Sequence, residues 1–544
     1  MAVEGMSEDR PGRAWKSSVA LAVGAVIVAV ALVAALLPRG TTAPPAIGQA
    51  GDVDLRVLAG APATWDPAAA GDSTSVETIA QVFEGLTAFD HQNRVQPALA
   101  ESWTIAGDAR QIDFTLRPGL RYSDGTPIEA QHVVESWLRL LDPQRPSPLA
   151  SLLFDIRGAA AYLRGTGSRD EVGLRAEGDR VVVELARPAT YFLAVTASPP
   201  LAVVAPQMWN AFDGLRLPIT SAYSGGYVAA ALDESAIRLE ANPNYWAGPP
   251  PLATVEIVTD TDGRGLVDMF ESGLVDYTPV GSGDAAWLRY DLLLGPQLRQ
   301  TPDLTLHFYG FDATRPPFDD VRVRQAFGQA VDWERIARLA GAEPARSMVP
   351  PGMPGGGSED YRPPYDPAAA RDLLAQAGYP DGAGFPALAL VSSGAGTESA
   401  VAAELAAALN VTVDVEYTDY DAYLGRAGTP EAPLFWTLTW SADYPHAHDF
   451  LGLLLESGSA NNEGGWQNAD YDAAIEAAAA TADPAEQEGH YADAQAILRD
   501  QVPVVPFQVV AGWALARDGL QGALPSGVGY IRFAGMDWQA GTSR

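Results

Sequence analysis

The sequence predicts a mixed α/β protein of two or more lobes, with its body held outside the cell by an apolar N-terminal segment. Three observations predict this. The 544 residues exceed what one hydrophobic core usually holds. Strand-like and helix-like patterns alternate without a fixed period, which speaks for layered α/β lobes and against a solenoid or propeller. Val19 to Leu37 is an uncharged run of Val, Ala, Leu, Ile and Gly. As a helix, at ~1.5 Å per residue, it spans roughly 28 Å, the depth of a bilayer's hydrocarbon core.

Charge sets the orientation of that run. Arg10, Arg13 and Lys16 precede it, and after Arg39 nothing basic occurs until Arg56. The positive-inside rule makes residues 1–18 a cytoplasmic tail, 19–37 a transmembrane anchor and 38–52 a Pro-, Ala- and Gly-rich linker. A cleaved leader ending at Thr41-Thr42-Ala43 is the competing reading. The length of the run, and Pro44-Pro45 directly after that site, favour an uncleaved single-pass anchor. Either way the body is extracytoplasmic.

Composition removes several function classes. A formal charge of −33 repels phosphate backbones, so no nucleic-acid partner is expected. Lys16 is the only lysine and lies in the tail, which rules out a Walker A loop and a Schiff-base lysine. With no cysteine there is no thiol catalysis, Cys-ligated zinc, iron–sulfur cluster or disulfide. The chain has no Gly-x-Ser-x-Gly elbow, Gly-x-Gly-x-x-Gly loop or His-Glu-x-x-His pair, so a hydrolase stays open only through its many carboxylates. We expect no cofactor and no enzymatic activity.

Strand patterns occur at Val53–Leu58, Gln111–Leu116, Arg180–Leu185, Thr254–Val258, Thr305–Phe311, Val411–Tyr417 and Phe435–Trp440. Helices are marked by their ends. Asp366, Pro367 and Gly378 supply cap, first-turn proline and terminator of one helix. Asp483, Pro484 and Glu486 supply cap, proline and capping-box carboxylate of another, running toward Arg499. Asp320 to Leu339 reads as one long helix with a buried stripe ending before Gly341. Pro-rich stretches at 248–251 and 350–364 read as surface connections.

Across these elements run Phe83-Glu84-Gly85-Leu86, Pro97-Ala98-Leu99-Ala100-Glu101-Ser102-Trp103, Phe114-Thr115-Leu116-Arg117 and Tyr122-Ser123-Asp124-Gly125-Thr126-Pro127. Later come Asn242-Pro243-Asn244-Tyr245-Trp246, Asp320-Val321-Arg322-Val323-Arg324-Gln325-Ala326 and Trp440-Ser441-Ala442-Asp443-Tyr444. In order and spacing the chain resembles the extracytoplasmic solute-binding proteins of peptide ABC importers, the oligopeptide- and dipeptide-binding family. Most of these blocks read as structural: turn chemistry at 123–127, apolar anchors at Phe83, Trp103 and Trp246, and Arg322 and Arg324 pairing with acidic neighbours. The chain departs from the family in lacking a lipidated Cys, in Ser224-Gly225-Gly226-Tyr227 for the usual turn, and in His446-Ala447-His448 after Pro445.

The resemblance implies a two-lobe periplasmic-binding-protein-like clamp, closing on ligand by a hinge. It places lobe I at 53–82, 191–280 and 500–544, an inserted subdomain at 83–190 and lobe II at 281–499. It implies capture of peptides and delivery to a permease with ATPase subunits, by a protein expected to be a monomer. At the place of Asp443 the family's carboxylate receives the ligand's α-ammonium group; the plain reading is a loop Asp capping the next helix. Ser441 and Tyr444 flank it, and Trp440 offers a flat wall or simply core. Arg426 resembles an arginine that meets the ligand's carboxylate in some relatives; the plain reading is a surface side chain. His446 and His448, two apart on one face of an extended segment, are loop histidines or, in the metal-import alternative, ligands of a nickel-type ion.

Overall fold

The computed structural model describes residues 53–209 and 222–540, apart from positions 234, 302, 393, 395, 427, 428 and 430. The expected tail, anchor and linker lie outside these. Among the described residues no helix is long and apolar enough to cross a membrane.

The first lobe is built on a seven-stranded sheet. In spatial order its strands are Leu298–Thr301, Gly512–Ala516, Tyr277–Val280, Leu55–Leu58, Thr254–Val258, Ala236–Ala241 and Tyr227–Leu232. Leu55–Leu58 lies at its centre, parallel to both neighbours and buried at all four residues. A strand covered on both faces buries every side chain: Leu55, Val57 and Leu58 are apolar, and Arg56 is paired with Glu256 at 2.9 Å. Helix α1 (Ser73–Val82) follows, capped by Asp72, whose carboxylate accepts the Ser75 N–H at 2.9 Å.

The inserted subdomain carries a four-stranded antiparallel sheet in the order Ala100–Ile105, Gln111–Leu116, Arg180–Glu184, Leu174–Glu177. Ile112, Phe114, Val181 and Val183 meet Trp137 in its core. That core continues through Tyr191, Phe192, Val195 and Leu201, past the expected boundary at 190.

The second lobe holds a six-stranded sheet in the order Glu343–Pro344, Val504–Val509, Thr305–Phe311, Phe435–Ser441, Leu388–Ser392, Val413–Tyr417. Two strands fall on the other side of the expected division. Val504–Val509, assigned to lobe I, pairs with Thr305–Phe311, and Leu298–Thr301, assigned to lobe II, pairs with Gly512–Ala516. The chain therefore passes from one sheet to the other between Thr301 and Thr305 and again between Val509 and Gly512, and those two short crossovers set the division.

The helical stretch from Asp320 is not continuous. It divides into α2 (Val321–Ala330) and α3 (Trp333–Leu339), because Val331 turns extended and Asp332 caps the second helix through the Arg335 N–H at 2.9 Å. Helix α4 (Pro367–Gln376) has Asp366 as cap, and Gly378 follows with a φ of 101° that only glycine adopts easily. Arg322 pairs with Asp320 as expected. Arg324 is instead buried and donates to the carbonyls of Phe318 and Gln501, its guanidinium drawn down to about 10 by desolvation. Of the three expected anchors, Phe83 is buried, while Trp103 and Trp246 are half-buried.

Helix α5 (Ala447–Leu455) leads into α6 (Ala469–Ala480) and α7 (Pro484–Gln501). The capping-box expectation for α7 holds only in part. Asp483 caps it, but Glu486 accepts from the Thr481 hydroxyl, which in turn accepts the Asp483 N–H.

Candidate functional site

Strand Phe435–Ser441 ends at the carboxyl edge of its sheet, beside its parallel neighbour Leu388–Ser392. Ligands of α/β proteins gather outside such edges. A recess of about 270 Å3 opens there, with Ser441, Ala442 and Asp443 on one side and Asp72, Ser198 and Tyr530 among the residues opposite. None of the described residues lining it is cationic, whereas two are aspartates.

Asp443 is accessible to solvent but walled by protein on several sides. Lost hydration pushes its carboxyl up to about 6. It has no ion-pair partner among the described residues, and it does not cap α5. The Ser441 hydroxyl lies 2.8 Å from that of Thr305, its register partner across the sheet. Trp440 is half-buried, and its indole N–H donates to Asp449 Oδ2 at 2.9 Å. Asp449, in the first turn of α5, is fully buried. Its Oδ1 has no hydrogen-bond partner, and burial raises its carboxyl far above the usual range.

Tyr444 turns away from the recess into the core. Its hydroxyl sits 2.9 Å from His448 Nδ1, and its ring stacks on Tyr191. The two histidines are not on an extended segment. His446 is the N-cap of α5, its Nδ1 accepting the His448 N–H at 3.2 Å. That bond fixes the tautomer, so Nε2 carries the proton donated to Gln487 Oε1 at 3.1 Å. Both nitrogens of His446 are thereby engaged. Burial lowers its imidazole to about 4, and burial with the nearby Arg187 holds that of His448 well below the ordinary range. Among the described residues no group of three or more potential ligands could hold a metal.

Arg426 does not line the recess. It pairs with Glu416 at 2.6 Å and donates to the Glu431 carbonyl. Of the five expected residues, the structure thus brings Asp443 and Ser441 to the recess, sets Trp440 just behind it, and leaves Tyr444 and Arg426 elsewhere. Sequence reasoning missed Asp72, Ser198, Tyr530 and Asp449. Asp72 carried a usable signal, as a helix cap before Ser73-Thr74-Ser75. Asp449 carried a fainter one, a lone acid opening the apolar run Phe450 to Leu455.

The sequence blocks that looked structural are knit together beside the site. Tyr245 donates to Glu84 at 2.7 Å, and Arg532 pairs with the same carboxylate. Asn242 donates to the Gly225 carbonyl, Asn244 to that of Ser123, and the Arg117 guanidinium lies 4.1 Å over the Trp246 ring.

Comparison with known proteins agrees with this architecture. Residues 94–462 match the family model described as bacterial extracellular solute-binding proteins, family 5 Middle. The chain is 31% identical over 466 residues to the probable deoxycholate-binding periplasmic protein YgiS of Escherichia coli, covering 82% of this chain and 86% of that one. It is 26% identical over 497 residues to the dipeptide-binding protein DppE of Bacillus subtilis, covering 86% and 89%. The unliganded open form of the periplasmic murein tripeptide-binding protein MppA superposes with a TM-score of 0.78 at 25% identity, covering 89% and 97%. Two α/β lobes and a match spanning most of the body lead to one conclusion: the chain belongs to the family 5 bacterial extracellular solute-binding proteins.

Proposed function

We propose that the protein captures peptides outside the cell and delivers them to an ABC permease with its ATPase subunits, acting as a binding protein rather than an enzyme. The observation that carries this is Asp443, an unpaired carboxylate in a recess with no cationic lining residue. Such a site favours a cationic group, and a peptide's α-ammonium supplies one. Relatives named as dipeptide- and oligopeptide-binding proteins fit the same chemistry. Backbone hydrogen bonding to the cleft strands, with room for varied side chains, completes recognition. The protein works as a monomer held by residues 19–37, with lobe I, the inserted subdomain and lobe II closing about the crossovers.

The relative named for deoxycholate binding motivates a second reading, an amphiphilic carboxylate ligand. The acidic recess opposes it. Calorimetry with Ala-Ala-Ala, its N-acetylated form and deoxycholate separates the two. Removing one partner of a desolvated charge pair typically costs ~2–5 kcal/mol, so acetylation or Asp443→Asn should each weaken tripeptide binding at least about thirtyfold. The two losses should not add, since each removes the same pair. Equal binding of the acetylated peptide, or tight binding of deoxycholate alone, overturns the reading.

A further inference from the structure

Directly behind the segment that carries Asp443 lies a carboxyl for which the proposed capture site gives no explanation. Asp449 is fully buried, has no cationic partner among the described residues, and leaves Oδ1 without a hydrogen bond. Helix α5 does not need it as a cap, because His446 already fills that role. A buried carboxyl in apolar surroundings is unfavourable, so a residue of this type persists at such a place only where its contacts serve something else. Its contacts all lead to one segment. Oδ2 accepts the Trp440 indole N–H at 2.9 Å, and the backbone amides of Asp443 and Tyr444 lie close enough to favour its ionised form. Trp440 is the last residue but one of the strand that leads through Ser441 to Ala442 and Asp443 in the recess.

We infer that Asp449 is a positioning residue for ligand capture: its buried carboxyl pins the Trp440 indole, and so fixes the direction in which Asp443 meets the ligand's cationic group. The inference rests on the proposed role of Asp443. It differs from a packing role in one respect, which is that the acceptor oxygen matters and apolar volume cannot replace it.

The test pairs Asp449→Asn, which keeps an acceptor oxygen of the same shape, with Asp449→Leu, which does not. The indole 15N–1H resonance of Trp440, assigned through Trp440→Phe, reports the hydrogen bond without any ligand. Titration with Ala-Ala-Ala reports capture. In the Leu variant the resonance should shift and affinity should fall about five- to tenfold, the loss expected for a hydrogen bond between neutral groups. In the Asn variant the resonance should stay near its place and affinity should return to within about threefold of the parent. Trp440→Phe should weaken binding like Asp449→Leu, with no further loss in the double variant. Should Asp449→Leu not fold, Trp440→Phe alone carries the test, and undiminished binding by it overturns the inference. A folded Leu variant with an unmoved resonance or parental affinity does the same. Failure of the capture reading looks different, since Asp443→Asn would then bind normally while the resonance still answers to Asp449.

Discussion

Tyr191 lies flat on the imidazole of His448, ring centres 3.5 Å apart and planes inclined by 11°. One ring belongs to the core of the inserted subdomain, the other to the helix that begins just after Asp443. Around the stack, Arg187 pairs with Glu456, and Thr190 donates to the carbonyls of Ala479 and Thr481. The subdomain and the second lobe are therefore joined by a junction of their own, separate from the crossovers that link the two larger sheets.

Gly452 makes that junction possible. A Cβ at this position would stand 2.4 Å from His448 Nε2, so Gly452→Ala must push the ring off Tyr191. We expect Gly452→Ala to be destabilising, and Tyr191→Ala to cost about 3–5 kcal/mol, the usual range for deleting a buried aromatic side chain. Urea unfolding monitored by circular dichroism checks both. Additive losses in the double variant would show that the two act on separate contacts.

Acid should weaken the fold through the same histidines. His446 titrates near 4 in the folded protein because it is buried, but near 6.5 once unfolded. Between these values the unfolded chain binds the extra proton, so stability is complete above about 6.5 and is lost as pH falls, by up to about 1.4 kcal/mol per unit. Replacing His446 by Asn keeps a capping side chain without a titrating ring. The difference in urea midpoint between the parent and H446N should therefore change with pH across this window and be flat above it.

Ligand capture has its own pH dependence, with the carboxylate as the active form. Asp443 titrates at about 6, so below that value an increasing share of the empty protein carries a neutral carboxyl that cannot pair with ammonium. Affinity for Ala-Ala-Ala should fall with acidity, approaching about tenfold per pH unit well below 6. Calorimetry from pH 4.5 to 8 measures the slope. The Asp443→Asn variant should bind weakly and without that slope; a slope unchanged by the substitution would assign the titration to another group.

For the N-terminal segment we expect membrane retention. Cell fractionation followed by sequencing of the mature N-terminus should recover the body with the membranes and residues 19–37 intact. A soluble product beginning near Pro44 would establish cleavage instead.

Much of this fold was legible because local chemistry and tertiary role agreed. Asp366, Pro367 and Gly378 bound helix α4 in sequence and in space alike, and Thr305–Phe311 is the strand its pattern announced. The break at Val331 was not legible, since apolar spacing runs on from Phe327 to Ile336 while Val331 turns extended and Asp332, accepting the Arg335 N–H, starts a second helix. Strand partners were beyond reach for a related reason. Nothing in Val504–Val509 itself says which of two apolar sheets it joins. At the site, Asp443 stood out through the residues around it. The roles of Tyr444 and Asp449 depend on which face of a loop turns inward, and the sequence carries no period there to reveal it.

The placement of the last two long strands bears on how the chain is made. Val504–Val509 fills the gap between Glu343–Pro344 and Thr305–Phe311, and Gly512–Ala516 that between Leu298–Thr301 and Tyr277–Val280. Each is an inner strand of a different sheet, and both lie within the final tenth of the sequence. A nascent chain that has reached residue 500 has neither, so each sheet is still split, with backbone donors and acceptors unanswered on both sides of the gap. Native closure of both lobes thus waits until synthesis is almost over. A polypeptide that must be threaded across a bilayer before folding gains by that delay, because the ribosome and the export channel meet it while it is still pliable.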